Sequence, residues 1–384
     1  MSRRQGCVYK HGRGYAIKLE LPPDPLAPGK RRYHREFGFP TKKEAEGRLA
    51  EVVAQLRAGT YVRPTKRTLA EYAEEWLQGI KPNLSPRTWE GYAHNLRKHI
   101  LPYLGRVELT ALEPLAVKKL YAHLLEQGLA PKTVLYVHQT LHAALQEALR
   151  MGMVGRNVCD AVRPPKVERK EMVVLTEEQG QALLAGITDL RLLVPVALAL
   201  GCGLRRGEVL GLRWQDVDLE AGRIQVVQTI QRLDGQGMVT LPPKTHGSRR
   251  SVDLPAGLVE ILRAWRDRQA VERIMAGSFW KESGLVCTSP TGGPLDPAWV
   301  SRTFAHTVRA LGLPPVRFHD LRHSCASILL ARGVHPKVVS ELLGHASVKI
   351  TLDTYSHVVP GLKKEAARHL DSIFRAASKG QGGT

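Results

Sequence analysis

The sequence predicts a mainly α-helical chain with small β-sheets, in three parts: an α+β module over residues 1–64, a helical part over 65–166 and a mixed α/β part over 167–384. Three observations predict it. Apolar residues recur at helical spacing behind capping residues through 65–166 and again through much of the last part. Short alternating runs bounded by Gly or Pro lie near the front and between residues 223 and 255. The pair Pro164–Pro165, set among Arg163, Lys166, Arg169 and Lys170, breaks the helical pattern, so residues 159–174 read as a basic linker.

In the first part, YAIKLEL (15–21) alternates and places Ile17, Leu19 and Leu21 on one face. PPDPLAPGK (22–30) is a turn or loop, and RRYHREFGF (31–39) is a second or third strand rich in basic side chains. Thr41 and Glu44 have the spacing of a capping box, ahead of a helix whose stripe is Ala45, Leu49, Val52 and Leu56.

The middle part reads as four helices. Thr68 with Glu71 caps TLAEYAEEWLQGI (68–80), with Leu69, Tyr72, Trp76 and Ile80 as its stripe. Ser85 as N-cap and Pro86 at the first helical position start a helix over 85–105; segments 112–129 and 130–154 complete the set. Trp89, Tyr92, Tyr121 and Tyr136 fall at helical spacing and are expected in the core. Lys81, Arg87, Arg97, Lys98, Lys118, Lys119 and Lys132 give the part its basic face.

In the last part, TEEQGQALLAGI (176–187) is a capped helix, and RLLVPVALALGCGL (191–204) is a buried helix ending just before Arg205. RIQVVQTIQRL (223–233), MVTLPP (238–243) and RRSVDLP (249–255) read as three strands. The DGQG turn (234–237) joins the first two, and Lys244 falls on a tight turn between the second and third. Helices follow at 256–275, 297–312, 319–332 and 335–345, with a last one at 362–377 whose Leu370, Ile373 and Phe374 could cover its own domain or a neighbouring protomer.

The charge narrows the function. Lys plus Arg number 56 against 36 Asp plus Glu, a net +20, which favours a polyanionic partner. The five cysteines are scattered without a C-x-x-C pair, so neither a disulfide framework nor a zinc site is expected. No apolar stretch is long enough to span a bilayer, and the N-terminal segment lacks an apolar signal core, so a cytoplasmic, nucleoid-associated protein with no membrane contact is expected.

Five segments carry chemistry: GLRRGE (203–208), PKT (243–245), HDLRH (319–323), LGH (343–345) and TLDTYSH (351–357). A phosphodiester under attack gathers negative charge on its two non-bridging oxygens. Arginine offers a charged planar fork that meets both, so Arg205 and Arg322 are the candidate clamp. His345 can add a donor, and His319 stands one helical turn before Arg322. Tyr355 can attack and leave a covalent link that is reversible, provided a base takes its proton. Lys244 can protonate the leaving 5′-oxygen. Such a set needs neither metal nor cofactor. His323 and His357 are expected to make only local hydrogen bonds, Arg206 to point elsewhere, and Glu208 and Asp320 to orient their neighbours.

Together these segments, in this order, resemble the tyrosine recombinase (phage integrase) family. The resemblance implies that Arg205, Lys244, His319, Arg322 and His345 assist Tyr355 as nucleophile. It also implies that residues 1–64 are an arm-type DNA-binding domain, 65–166 a core-site DNA-binding domain and 167–384 the catalytic domain. The implied partner is double-stranded DNA at core and arm attachment sites, bound by a homotetramer, with room for an accessory DNA-bending protein. The implied reaction cleaves and rejoins DNA through a 3′-phosphotyrosine, integrating or excising a mobile element. Two other functions share parts of this pattern: a type IB topoisomerase-like nicking-closing enzyme and a non-catalytic DNA-binding regulator. The linker would let two domains close on DNA as a clamp.

Overall fold

The computed structural model describes residues 6–22, 31–58, 61–62, 66–168, 172–242 and 249–355. Two compact units divide the chain, Met1–Arg169 and Lys170–Thr384.

The first unit has two separate cores. One lies under an antiparallel sheet of β1 (Cys7–His11), β2 (Gly14–Leu21) and β3 (Arg32–Phe39), covered by α1 (Lys42–Arg57). The alternation of β2 buries Ile17 and Leu19 against Ala45 and Val52 of α1, and Thr41 caps that helix through the Glu44 N–H. β1, on the outer edge of β2, went unnoticed in the sequence because CVYKH carries no clean alternation.

The other core belongs to the helical part: α2 (Leu69–Ile80), α3 (Pro86–His94), the short α4 (Leu101–Leu104), α5 (Pro114–Glu126) and α6 (Pro131–Arg150). Thr68 and Glu71 form the expected reciprocal capping box. The expected single helix over 85–105 is interrupted. Residues Asn95–Ile100 form a π-helical turn, in which the Asn95 amide donates to the Thr140 hydroxyl of α6 at 2.9 Å. Tyr121 is buried as expected, whereas Tyr136 is exposed on α6 under Lys132. Arg97 does not stand free for phosphate, since it is paired with Glu74 at 2.7 Å. Cys159 and Val162 belong to this core, so the linker starts later than residue 159.

The second unit is built around α8 (Leu190–Cys202), flanked by α7 (Glu177–Gly186), α9 (Arg206–Gly211), α10 (Ala256–Ala276), α11 (Pro297–Ala310) and α12 (Asp320–Ala331). A smaller cluster joins α12 to α13 (Pro336–Leu343) and α14 (Val348–Tyr355). The run expected as one strand over 223–233 is two strands in different sheets. β5 (Arg223–Val226) lies between β4 (Val217–Asp218) and β8 (Arg250–Asp253), while β6 (Thr229–Leu233) pairs, among the described residues, only with β7 (Gly237–Leu241). The break has a cause. Gln228 turns its amide onto the Gly211 carbonyl at 2.9 Å, and β6 then runs against α9 so closely that a Cβ at Gly207 would lie 2.2 Å from Thr229 Oγ1. The DGQG hairpin forms as read, whereas β7 and β8 lie in different sheets among the described residues, and the turn expected between them falls outside those residues. Lys244 between them, His357 and the helix expected at 362–377 fall outside the described residues. Among the described residues no helix is long and apolar enough to cross a membrane.

Candidate active site

The site is assembled where the C-termini of two helices, α8 and α13, meet α12 and α14. α8 stops at Gly203, whose φ of +60° is the left-handed turn that favours glycine; a Cβ there would lie 2.5 Å from Leu343 Cδ2. α13 stops at Gly344 in the same way, with φ +64°. Each ending leaves carbonyls without helical partners, and arginines fill them. Arg322 donates through Nη1 to the Gly203 carbonyl and through Nη2 to the Leu343 carbonyl, both at 2.6 Å. Arg250 on β8 donates to the Leu342 carbonyl at 2.6 Å. Arg205 reaches the Gly344 carbonyl at 3.5 Å. Three guanidiniums therefore gather on the carbonyl end of α13, where the helix dipole favours cations.

Arg322 itself is 3% exposed and sits in the first turn of α12, the positive end of its own helix. Burial, and then the nearby Arg205 charge, pull its pKa down to about 9, so it remains a cation at neutral pH. Its two carbonyls use only part of the five-donor fork.

Glu208 holds the arginines together from behind. It is buried, accepts from Arg205 Nη1 at 2.7 Å and from Arg250 Nη2 at 3.0 Å, and takes the Arg205 backbone N–H at 3.0 Å. Burial would push its carboxyl up, but the Arg250 and Arg205 charges outweigh that and hold it below the usual carboxylate range. Arg206 points away, to the Ser301 hydroxyl at 2.6 Å. Asp320 receives Arg317 on both oxygens, at 2.8 and 2.9 Å, which fixes the chain as it enters α12.

Tyr355 is 1% exposed, seated among Ala326, Leu330, Val339 and Leu343. Burial raises its phenol to about 12 against an opposing pull from Arg322. Its hydroxyl lies 2.7 Å from Nδ1 of His323, the residue after Arg322. One turn earlier on α14, the buried Thr351 hydroxyl lies 2.8 Å from His345 Nδ1. Burial, and then the Arg322 charge, lower His345 to about 4. His319 stands at the N-cap of α12 with its ring edge-on to His323 at 5.4 Å between centroids. Part of it faces solvent, while desolvation of the rest and the Arg322 charge hold its pKa below the ordinary histidine value.

Of the six residues singled out in the sequence, Arg205, His319, Arg322, His345 and Tyr355 thus converge where the ends of α8 and α13 meet α14 and the start of α12, and Lys244 lies outside the described residues. Sequence reasoning set His323 aside, yet it is the histidine that touches the phenol. Arg250 and Thr351 gave no signal beyond standing near recognised segments.

Residues 173–360 match the model of the phage integrase family, and residues 68–125 match that of the phage integrase N-terminal SAM-like domain. A protein of Caldanaerobacter subterraneus subsp. tengcongensis described as tyrosine recombinase XerC-like is 31% identical over 359 residues, spanning 88% of this chain and 92% of that one. This chain belongs to the phage integrase family. As such it is a tyrosine-type site-specific recombinase, an enzyme of DNA recombination and integration. An integrase of Streptomyces ambofaciens is 31% identical over 360 residues, covering 90% of both chains, and the ICEBs1 integrase of Bacillus subtilis is 29% identical over 307 residues, covering 78% of this chain and 81% of that one. Solved structures agree on the fold. The Tn1549 transposon integrase in complex with a circular intermediate DNA superposes with a TM-score of 0.68 at 21% identity, covering 79% of this chain and 99% of that chain. A lambda integrase tetramer bound to a Holliday junction gives 0.56 at 20% identity, covering 88% and 95%.

Proposed function

We propose that this integrase cleaves one DNA strand by attack of Tyr355 on the scissile phosphate, forming a 3′-phosphotyrosine and a free 5′-hydroxyl, and that the 5′-hydroxyl of a second strand reverses the step. The phosphotyrosine conserves the phosphodiester's energy, so the cycle needs no nucleotide cofactor. Arg205 and Arg322 bind the non-bridging oxygens, with His345 and His319 as further donors. Lys244 protonates the leaving 5′-oxygen. Glu208 and Arg250 hold Arg205 in place.

One observation carries the reading. A buried phenol and a buried guanidinium lie on neighbouring helices, with the phenol bonded to the residue next to that guanidinium. A regulator that only bound DNA would have no use for either.

The division of labour follows the three-part reading. Residues 1–64 bind arm sites, 65–166 the core site, and 167–384 carry the chemistry. The substrate is double-stranded DNA at the ends of a mobile element, integrated or excised by a homotetramer, with an accessory bending protein where the arms must be brought to the core. The protein works in the cytoplasm, on the nucleoid. The solved neighbours named above, one in complex with a circular intermediate DNA and one a tetramer on a Holliday junction, support this reading. A suicide substrate, nicked so that the cleaved end diffuses away, tests it. Covalent adduct with transfer to a second duplex supports a recombinase. Adduct with relaxation alone would point to a topoisomerase-like enzyme, and no adduct to a binding protein.

A further inference from the structure

We propose that His323 is a catalytic residue: its Nδ1 takes the proton of the Tyr355 hydroxyl as that oxygen attacks phosphorus, and gives it back when the tyrosine leaves. The inference rests on Tyr355 being the nucleophile.

The geometry comes first. The Tyr355 oxygen and His323 Nδ1 are 2.7 Å apart, within the range a proton-transfer partner needs. Both groups are held. His323 follows Arg322 on α12, and that turn of helix is fixed by the two Arg322–carbonyl bonds. Tyr355 lies on α14, whose Thr351, four residues earlier on the same face, is tied to His345. The other two histidines are placed for different work. His345 has Nδ1 engaged with Thr351, which turns Nε2 the other way, and His319 meets the His323 ring edge-on rather than the phenol.

The surroundings fit a transient acceptor. The charged and titratable groups around His323 are His319, Asp320, Arg322 and Arg317, with Tyr355 from α14 and His345 beyond the end of α13. Burial, then His319, lower its pKa to about 4, so the ring is neutral at rest and its nitrogen free to accept. Burial keeps the phenol neutral too. The pair therefore does not exchange its proton at rest; transfer accompanies attack. In the forward step the Tyr355 oxygen–phosphorus bond forms, the phosphorus–5′-oxygen bond breaks, the phenol proton goes to His323, and the 5′-oxygen is protonated by a separate acid. In the reverse step the incoming 5′-hydroxyl attacks phosphorus and returns its proton to that separate acid, the bond from phosphorus to the Tyr355 oxygen breaks, and the imidazolium reprotonates the departing phenolate. The resting charge is restored.

The test measures single-turnover adduct formation on the suicide substrate, with the full chain, for wild type, Tyr355→Phe, His323→Ala and His323→Asn. Asn keeps an acceptor near the Nδ1 position but cannot carry the proton, and thermal melting checks that each variant folds. Both His323 variants are expected to lose about 10²-fold or more, the lower end of what a positioned base contributes. The deciding arm replaces Tyr355 by a fluorinated tyrosine whose phenol is already largely ionised at neutral pH. With it, the His323→Asn defect should largely vanish, because no proton needs to be taken. A folded His323→Asn enzyme that cleaves at the wild-type rate, or one whose defect is undiminished by the fluorinated phenol, overturns the proposal. Absence of adduct in wild type, or adduct with Tyr355→Phe, would instead remove the reading of Tyr355 as nucleophile.

Discussion

Replacing Arg322 by lysine separates what this residue does for the fold from what it does for the reaction. Its Nη1 and Nη2 reach carbonyls on two different helix ends, Gly203 and Leu343, both at 2.6 Å. A lysine ammonium is a compact point charge that cannot span both. One buried carbonyl is left unpaired, which costs ~1–3 kcal/mol. With a urea slope of about 2 kcal/mol/M, the unfolding midpoint should fall by roughly 0.5–1.5 M. The chemistry should suffer more. The outward part of the fork is lost at the phosphate, and removing one such donor set lowers the rate by about 10²-fold or more, ~2.7 kcal/mol at the transition state. The assay is single-turnover adduct formation at saturating protein, with DNA affinity measured separately and urea unfolding run alongside. A folded Arg322→Lys protein that forms adduct at a near-normal rate would refute both the bidentate contact and the reasoning from the carbonyl network.

Three further outcomes follow from the same site. If arginines and histidines do the work of a divalent ion, cleavage should survive excess EDTA; loss on chelation with recovery on adding Mg²⁺ would point to a different nuclease chemistry. His323 and His345 both titrate near 4 in the fold against an ordinary 6.5, so the unfolded chain binds more protons across that window. Stability is therefore full above about pH 6.5 and lost as pH falls through the window toward 4, and a melting temperature that stays flat from neutral pH to pH 4 would contradict the burial of these rings. Deleting residues 1–64 should leave core-site cleavage intact while impairing full integration, and the binding it removes should weaken steeply with salt; unchanged integration by the shortened chain would reassign the module to protein contacts.

Much of this was legible in the sequence because the signals are local. Thr68 with Glu71, Thr176 with Gln179, and Ser85 before Pro86 cap the helices they announce. The apolar run before Arg205 becomes the central helix of the second unit. The failures are tertiary. RIQVVQTIQRL has strand composition throughout, and nothing in it shows that Gln228 will turn onto Gly211 and send the two halves to different sheets. The helix over 85–105 keeps its periodicity through Asn95, whose bond to Thr140 of another helix accompanies the π-helical turn. The site divides in the same way. Arginine, histidine and tyrosine types at recognisable spacing gave the set, but which histidine touches the phenol depends on how α14 seats against α12. Arg250, which matters through Glu208 and the end of α13, lies 42 residues from the one and 92 from the Leu342 carbonyl it meets, a distance no local pattern spans.

The central claim is that Tyr355 becomes covalently joined to DNA. The most direct measurement traps the adduct on a suicide substrate, digests protein and DNA, and identifies the modified peptide and its linkage by mass spectrometry. The account requires a nucleotide attached through its 3′-phosphate to Tyr355, absent from Tyr355→Phe although that variant still binds the DNA. An adduct on another residue, a 5′-linked nucleotide, or a Tyr355→Phe protein that still forms adduct would contradict it.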